Sequence, residues 1–245
     1  LQTHLSIVRW ESYRQTPQEA DADIWQRYQE NLQLCQGLYV PLHLFEISLR
    51  NHFQMLLNSV DKNWYEGFFD NAKNFQYQGT ILSKRGQEKL AEAINTLTKK
   101  KGLSQLTEGQ IVAELNFGFW VELFSHHYAF TLWAYTKNKG DNLRKIFPNL
   151  PCCYTPIANN TTVTSIIYPC LKIIVFLRNR IFHHEPIWHE KHFNVFQKQN
   201  PALSKKFLTY TQQQSITCEL IEKTLSDVLA WICPDLLQDI QSFKH

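Results

Sequence analysis

The chain has 245 residues, 44% of them hydrophobic and 13% aromatic, with a formal charge of +3 and a pI near 8.5. That composition supplies an apolar core and excludes intrinsic disorder, while the mild positive balance permits a local nucleic-acid patch without demanding one, since strongly basic domains lie above about pI 9. Eight glycines and nine prolines are too few for an all-β chain that turns about every 8–12 residues, so the expected fold class is all-α.

The six cysteines, Cys35, Cys152, Cys153, Cys170, Cys218 and Cys233, show no C-x-x-C pairing, which argues against a disulfide framework or zinc ribbon and for a reducing compartment. The first residues, Leu1 to Leu5, carry no cationic stretch leading into an apolar run, so no secretory signal is expected. The most apolar stretch, residues 166–177, falls short of the ~20 residues a bilayer span needs and contains Pro169 and Lys172. A soluble, cytoplasmic protein with no membrane partner is the expectation.

In chain order, Asp21-Ala22-Asp23 opens a segment with Trp25, Tyr28, Leu32, Cys35 and Leu38 at helical spacing. After Pro41, Leu42, Phe45, Leu49, Phe53, Leu56 and Leu57 repeat in the same way, which predicts two helices forming an antiparallel pair. Residues 63–83, rich in Asn, Asp, Gly and aromatics, predict an irregular excursion. Residues 83–100 place Leu90, Ala93, Ile94 and Leu97 on one face of a surface helix, and Lys99-Lys100-Lys101 is read first as a cationic helix end favoured by the macrodipole rather than as an RNA patch. Thr107 and Gln110 form a capping-box pattern ahead of one buried helix over residues 107–124, in which Gly118 marks a kink or a close crossing. Residues 137–164 are polar and punctuated by Pro148, Pro151 and Pro156, with a short helix near residues 142–147. An apolar helix over residues 164–184 stops at Pro186, residues 193–208 look loosely organised, and an amphipathic helix closes the pattern at residues 216–233. With no internal repeat, one domain over residues 1–245, with a core at about 20–235, is the simplest organisation.

The end of the apolar helix carries the candidate chemistry. At 3.6 residues per turn, Asn179 and His183 share a face, as do Arg180 and His184, while Arg178 lies about 140° from His183. Asn179 is placed to hold the His183 ring through a hydrogen bond. An Arg-plus-His set suits metal-independent RNA cleavage, which needs a base for the 2′-hydroxyl, an acid for the departing 5′-oxygen and a cation over the phosphorane, and which leaves a 2′,3′-cyclic phosphate. By itself an Arg-Asn-x-x-x-His string is a weak signal, because polar helix ends often carry one. The cluster His183, His184, Glu185, His189, Glu190 and His192 lacks an H-E-x-x-H spacing and is interrupted by Pro186, so neither a metal nor another cofactor is expected. His126-His127 reads as a helix edge passing from core to surface. No P-loop, G-x-G-x-x-G or G-x-S-x-G signature is present.

Three segments together resemble the Abi-like (abortive infection) family of the HEPN superfamily: residues 44–51 (L-F-E-I-S-L-R-N), residues 112–120 (V-A-E-L-N-F-G-F-W) followed by Leu132-Trp133, and residues 177–187 (L-R-N-R-I-F-H-H-E-P-I). Residues 231–234 (W-I-C-P) are similar to the family's closing segment, and residues before 20 offer no match. The resemblance implies a compact HEPN-type helical bundle with additional helices, frequent homodimerisation, and metal-independent endoribonuclease activity in phage defence or as a toxin of a toxin–antitoxin system. By motif match Arg178 and His183 take the catalytic positions, Asn179 is the polar residue after the arginine, and the spacing admits His184. Phe182 stands where a small residue is usual and is expected to narrow the cleft. Glu46 and Arg50, an i,i+4 pair, are read either as a helix salt bridge or, with Asn51 and Arg180, as RNA-binding or site-supporting groups. The partners implied are RNA, a second copy of the chain, and an antitoxin protein or structured RNA. The competing class is a non-catalytic RNA- or protein-binding module of a defence complex.

Overall fold

The computed structural model describes residues 5–102, 106–134, 141–154 and 159–236. Its all-α architecture contains, among the described residues, only one small antiparallel hairpin. The chain divides into two compact units, one made of residues up to 44, 169–230 and 234 onward, the other of residues 45–168 and 231–233.

Helix α1 (Ile7–Glu11) starts where the Ser6 side chain accepts a bond from the Arg9 N–H. Helix α2 (Asp21–Val60) then runs unbroken for 40 residues, so the expected antiparallel pair is a single element. Pro41 sits inside it. A proline there removes one main-chain bond and crowds the carbonyl four residues back, and that residue is Gly37, solvent-exposed, with nothing within 4 Å of where a Cβ would stand. The apolar stripe also keeps phase across the proline: Leu38, Leu42, Phe45, Leu49, Phe53 and Leu56 are all buried.

In the second unit, residues 63–83 form more than an excursion. Strands β1 (Gly67–Phe69) and β2 (Phe75–Tyr77) pair with Phe68 opposite Gln76. Helix α3 (Lys84–Lys101) packs on β2 and buries Leu90, Ala93, Ile94 and Leu97, as its amphipathic pattern requires. Ser83 caps it, and the Tyr128 hydroxyl lies 3.0 Å from the Ser83 Oγ. Gly86 leaves room for that phenol, since a Cβ would stand 2.7 Å from its oxygen.

Helix α4 (Glu108–Glu114) opens with the Thr107–Gln110 capping box, both of its bonds formed. The chain then breaks at Leu115, short of Gly118, because Asn116 caps a new helix α5 (Phe117–Glu122) by accepting the Phe119 N–H at 2.9 Å. Gly118 keeps clear of that cap, where a Cβ would come within 3.3 Å of the Asn116 Oδ1. A 3-10 turn (His126–Tyr128), a π-helical turn (Ala129–Trp133) and helix α6 (Asn142–Ile146) follow; part of the proline-punctuated connection, Pro156 included, lies outside the described residues. The core is aromatic: Phe124 stacks on Trp133 at 4.8 Å, Phe53 meets Phe124 edge-on at 5.0 Å, and the Trp133 indole N–H bonds the Leu123 carbonyl at 2.7 Å.

Helix α7 (Asn159–Thr162), a π-helical turn (Val163–Ile167) and helix α8 (Tyr168–Phe182) make one helical run. The stretch Asn160–Phe182, 23 residues, is long and apolar enough to cross a bilayer, unlike its most apolar core alone; half of its most apolar part is buried inside the protein, as in the core helix of a water-facing fold. In the first unit α8 contributes Leu171, Ile173, Ile174, Leu177 and Ile181 to the core. Residues 193–208 are ordered rather than loose, forming α9 (Asn194–Gln199) and α10 (Pro201–Thr211) with Pro201 at the first turn, where its missing N–H has no partner to lose. Helix α11 (Cys218–Ile232) matches the expected closing helix, and all six cysteines are free thiols.

Candidate functional site

The polar segment predicted to carry the chemistry is the C-terminal end of α8, and its geometry is set by how that helix stops. The Glu185 N–H bonds the Arg180 carbonyl at 2.8 Å and the His184 N–H bonds the Ile181 carbonyl at 3.0 Å, the two bonds of a Schellman cap. His184 occupies the left-handed position, with φ of 56°, where glycine is the usual residue. Pro186 follows and cannot continue the helix.

Arg180 locks this turn. Its Nε and Nη2 donate to the Pro186 carbonyl at 3.0 and 2.8 Å, and its Nη1 lies 3.1 Å from the Glu185 carboxylate. Burial lowers the guanidinium's pKa, while Glu185 and Tyr13 act in the opposite direction. The next residue is held from far away in sequence: the Ile187 N–H bonds the Asn31 Oδ1 at 2.7 Å, and the Asn31 Nδ2 donates to the Tyr13 hydroxyl at 3.0 Å. Burial pushes that phenol's pKa well above its ordinary value, opposed by the charges of Arg9 and Arg180. From α1, the Arg9 Nη2 donates to the His183 carbonyl at 3.4 Å.

What the turn presents to solvent is the motif itself. Asn179, Phe182, His183 and His184 are exposed, and Arg178 is partly so. The Arg178 guanidinium lies 4.1 Å over the Phe182 ring and donates to the Asn179 Oδ1 at 3.4 Å. The expected Asn179–His183 side-chain bond is therefore not formed. The two residues are joined only through the main chain, His183 N–H to Asn179 carbonyl at 2.9 Å, because the carboxamide oxygen turns to the neighbouring cation. Phe182 lies on the surface, 37% exposed, stacked on Tyr39 at 5.4 Å.

Arg180, predicted as an RNA-contacting or supporting group, is thus structural in its visible contacts. Glu46 and Arg50 belong to the second unit, where Arg50 donates to Glu46 at 2.9 Å as the i,i+4 salt bridge, and Asn51 is exposed. The histidine cluster divides its tasks. The His189 Nδ1 accepts the Lys191 N–H at 3.0 Å, and His192 is buried, its pKa pushed down to about 3 by burial and then by Arg180, Lys191 and His189. Among the described residues no group of three or more His, Cys, Asp or Glu is placed to hold a metal ion. His126 and His127 lie ring against ring at 3.9 Å on an exposed turn.

Arg9, Tyr13 and Asn31 were not legible as site residues. They precede or fall outside the recognisable motifs, and they meet the α8 end across 156 or more positions of sequence in the two direct bonds. The nearest signal is a buried asparagine on an otherwise apolar helical face, since such a group needs partners.

An all-α protein whose long apolar helix ends in an exposed Arg-Asn-x-x-x-His-His turn, held by a partly buried arginine, defines the structural class. The profile described as Abi-like protein matches residues 8–189, well over half of the chain, and the protein belongs to that family. The match takes in Arg9, Tyr13 and Asn31 as well as the α8 turn. Comparison with curated proteins and with solved structures finds no match.

Proposed function

We propose that the protein is a metal-independent endoribonuclease of the HEPN type acting in phage defence, as an abortive-infection effector or as the toxin of a toxin–antitoxin pair. Membership of the Abi-like family supports the defence role. The observation that carries the chemistry is the division of labour at the end of α8: Arg180 is consumed in holding the turn, while His183 and His184 are exposed and Arg178 partly so at the same helix end.

In this reading His183 accepts the proton of an RNA 2′-hydroxyl, the 2′-oxygen forms a bond to phosphorus, and the bond to the 5′-oxygen breaks as that oxygen takes a proton from the acid. Arg178, always charged, faces the oxygens on which negative charge accumulates, and its seat on Phe182 limits the rotamers it must lose to do so. His184, fixed one residue on in its left-handed turn, is the second imidazole available for the proton relay. A homodimer would join two such turns into one composite cleft, and an antitoxin protein or structured RNA would silence it by covering the turn.

Wild-type and His183→Ala proteins incubated with total and structured RNA in EDTA test the proposal. Fragments with 2′,3′-cyclic phosphate ends from the wild type alone are expected, with unchanged helical circular dichroism in the variant. Absence of cleavage by the wild type would move the site to the competing class, an RNA- or protein-binding module of a defence complex.

A further inference from the structure

Residues 151–154 of the second unit form a tight turn, closed by the Tyr154 N–H donating to the Pro151 carbonyl at 3.1 Å. Its two corner residues are Cys152 and Cys153, both free thiols and both exposed. The turn is anchored from α6, where the Arg144 guanidinium donates to the carbonyls of Leu150 at 2.6 Å, Pro151 at 3.3 Å and Tyr154 at 3.3 Å. A second tie runs to the closing helix: the Asn149 N–H bonds the Trp231 carbonyl at 2.9 Å, and the Tyr154 ring meets Trp231 edge-on at 6.2 Å. Two thiols are thus offered to solvent side by side on a backbone held before and after them.

The buried cysteines lie in the opposite setting. Burial pushes the Cys218 thiol up to about 12 and the Cys170 thiol well above its ordinary range, and it raises the half-buried Cys35 as well. The thiolate is the nucleophile, so thiols held protonated in apolar surroundings are inert toward oxidants. Cys152 and Cys153 have open access to solvent, a permanent cation bound to the carbonyls of their own turn, and each a second thiol as its chain neighbour. Exposure beside a resolving thiol is what makes cysteine oxidation reversible, because the neighbour captures the sulfenic acid before it is oxidised further.

We propose that Cys152 and Cys153 are a peroxide-reactive dithiol that closes reversibly to a ring disulfide at the corner of the turn. One thiolate attacks a peroxide oxygen, the O–O bond breaks, and the departing hydroxide takes a proton and leaves as water. The neighbouring thiolate then attacks the sulfur of the sulfenic acid, the S–S bond forms, and the S–OH oxygen leaves as a second water. Two thiols are oxidised and one hydrogen peroxide is reduced to two waters. Neighbouring α-carbons across a trans peptide stand about 3.8 Å apart, inside the about 4.4–6.8 Å usual for a disulfide, so the closed ring is strained and readily reopened by thiols. A bond of that kind is a signal rather than a staple, and it fits the reducing compartment that the cysteine pattern predicts.

The full-length protein is treated with hydrogen peroxide, quenched with catalase, unfolded, alkylated with N-ethylmaleimide and digested with chymotrypsin. The peptide ending at Tyr154 holds no cysteine other than this pair. In the wild type it is expected to lose two hydrogens in mass and to take up no maleimide, and dithiothreitol before alkylation should restore both sites. In Cys152→Ser and Cys153→Ser the ring cannot close, so the remaining thiol should accumulate as a sulfenic acid trapped by dimedone, an adduct lost in the wild type. Both substitutions fall on exposed turn positions, and an unchanged helical spectrum checks that the fold survives them. Dimedone labelling of the wild type equal to that of the variants overturns the proposal. So does a disulfide joining either residue to Cys233 or to a second chain, or a pair that stays fully alkylated while another cysteine is oxidised first.

Discussion

Two sets of aromatic side chains, one taken from each unit, are placed in opposite settings, although both units bury other rings such as Phe193 and Phe207 of the first. In the second, Phe53, Trp64, Trp120, Phe124 and Trp133 are fully buried, and the indole N–H groups of the three tryptophans each reach an oxygen: Leu115 for Trp120, Leu123 for Trp133, Glu108 for Trp64. In the first, Tyr39 and Phe182 stack in the open beside Arg178. The same rings that drive folding where water is excluded lie against one another at the surface where it is not. The arginines of α8 repeat the lesson two residues apart, since Arg180 is withdrawn into the turn and Arg178 is offered at its surface.

The sharpest way to break that contrast is to remove one ring from each setting. Trp120→Ala empties a fully buried site and should lower stability by about 3–5 kcal/mol, whereas Tyr39→Ala, half exposed, should cost less than about 1 kcal/mol. Urea unfolding of both variants decides it, and similar losses would mean that Tyr39 belongs to the core after all. The arginine pair comes next. Arg180→Ala deprives the Pro186 carbonyl of two donors and should cost about 1.5–3 kcal/mol together with RNA cleavage, while Arg178→Ala should lose cleavage at nearly native stability. Equal destabilisation by the two would erase the assignment of one to structure and the other to chemistry.

His192 sharpens the comparison through pH. Its imidazole is held neutral in the fold, with a pKa near 3 against an ordinary value of 6.5. The unfolded chain therefore takes up a proton that the folded chain refuses, and the stability this histidine contributes is complete above about pH 6.5 and is lost as pH falls toward 3. Within that window it should contribute a slope of about 1.4 kcal/mol per pH unit. His192→Gln should flatten the acid limb of the stability profile, read as midpoint against pH. An unchanged slope would show that the loss at low pH belongs to paired carboxylates such as Glu19, whose pKa is lowered chiefly by its bond to Arg27.

Local patterns were legible where one residue's chemistry settles the outcome. The Thr107–Gln110 box, the apolar face of α3 and the stop of the apolar helix ahead of Pro186 all appear in the structure as the sequence predicts them, whereas the side-chain bond expected between Asn179 and His183 does not. Pro41 misled because a proline reads as a boundary, whereas the in-phase stripe from Leu38 to Leu42 and the exposed Gly37 keep α2 whole. Asn116 went unread as a cap because its flanks are apolar on every side, and Asn200-Pro201 looked like a loop although proline favours a helix start. For the site, the motif could be read but its staple could not. Asn31, Tyr13 and Arg9 act through contacts that only the folded chain brings about.

His184 allows the smallest and most selective intervention. A left-handed conformation costs an L residue about 1–2 kcal/mol relative to the right-handed one, and glycine escapes that penalty while giving back part of it as unfolded-state entropy. His184→Gly should therefore leave stability level or raise it by about 0.5–1 kcal/mol, whereas a cap under no constraint would lose stability on gaining a glycine. If the imidazole takes part in the proton relay, cleavage should fall about 100-fold or more in the same variant, because general acid–base groups contribute about 10²–10⁴. Stability and activity then move in opposite directions at one position, an outcome no purely structural histidine produces. Full activity at native stability would confine the chemistry to Arg178 and His183 and explain the left-handed histidine as a cap alone.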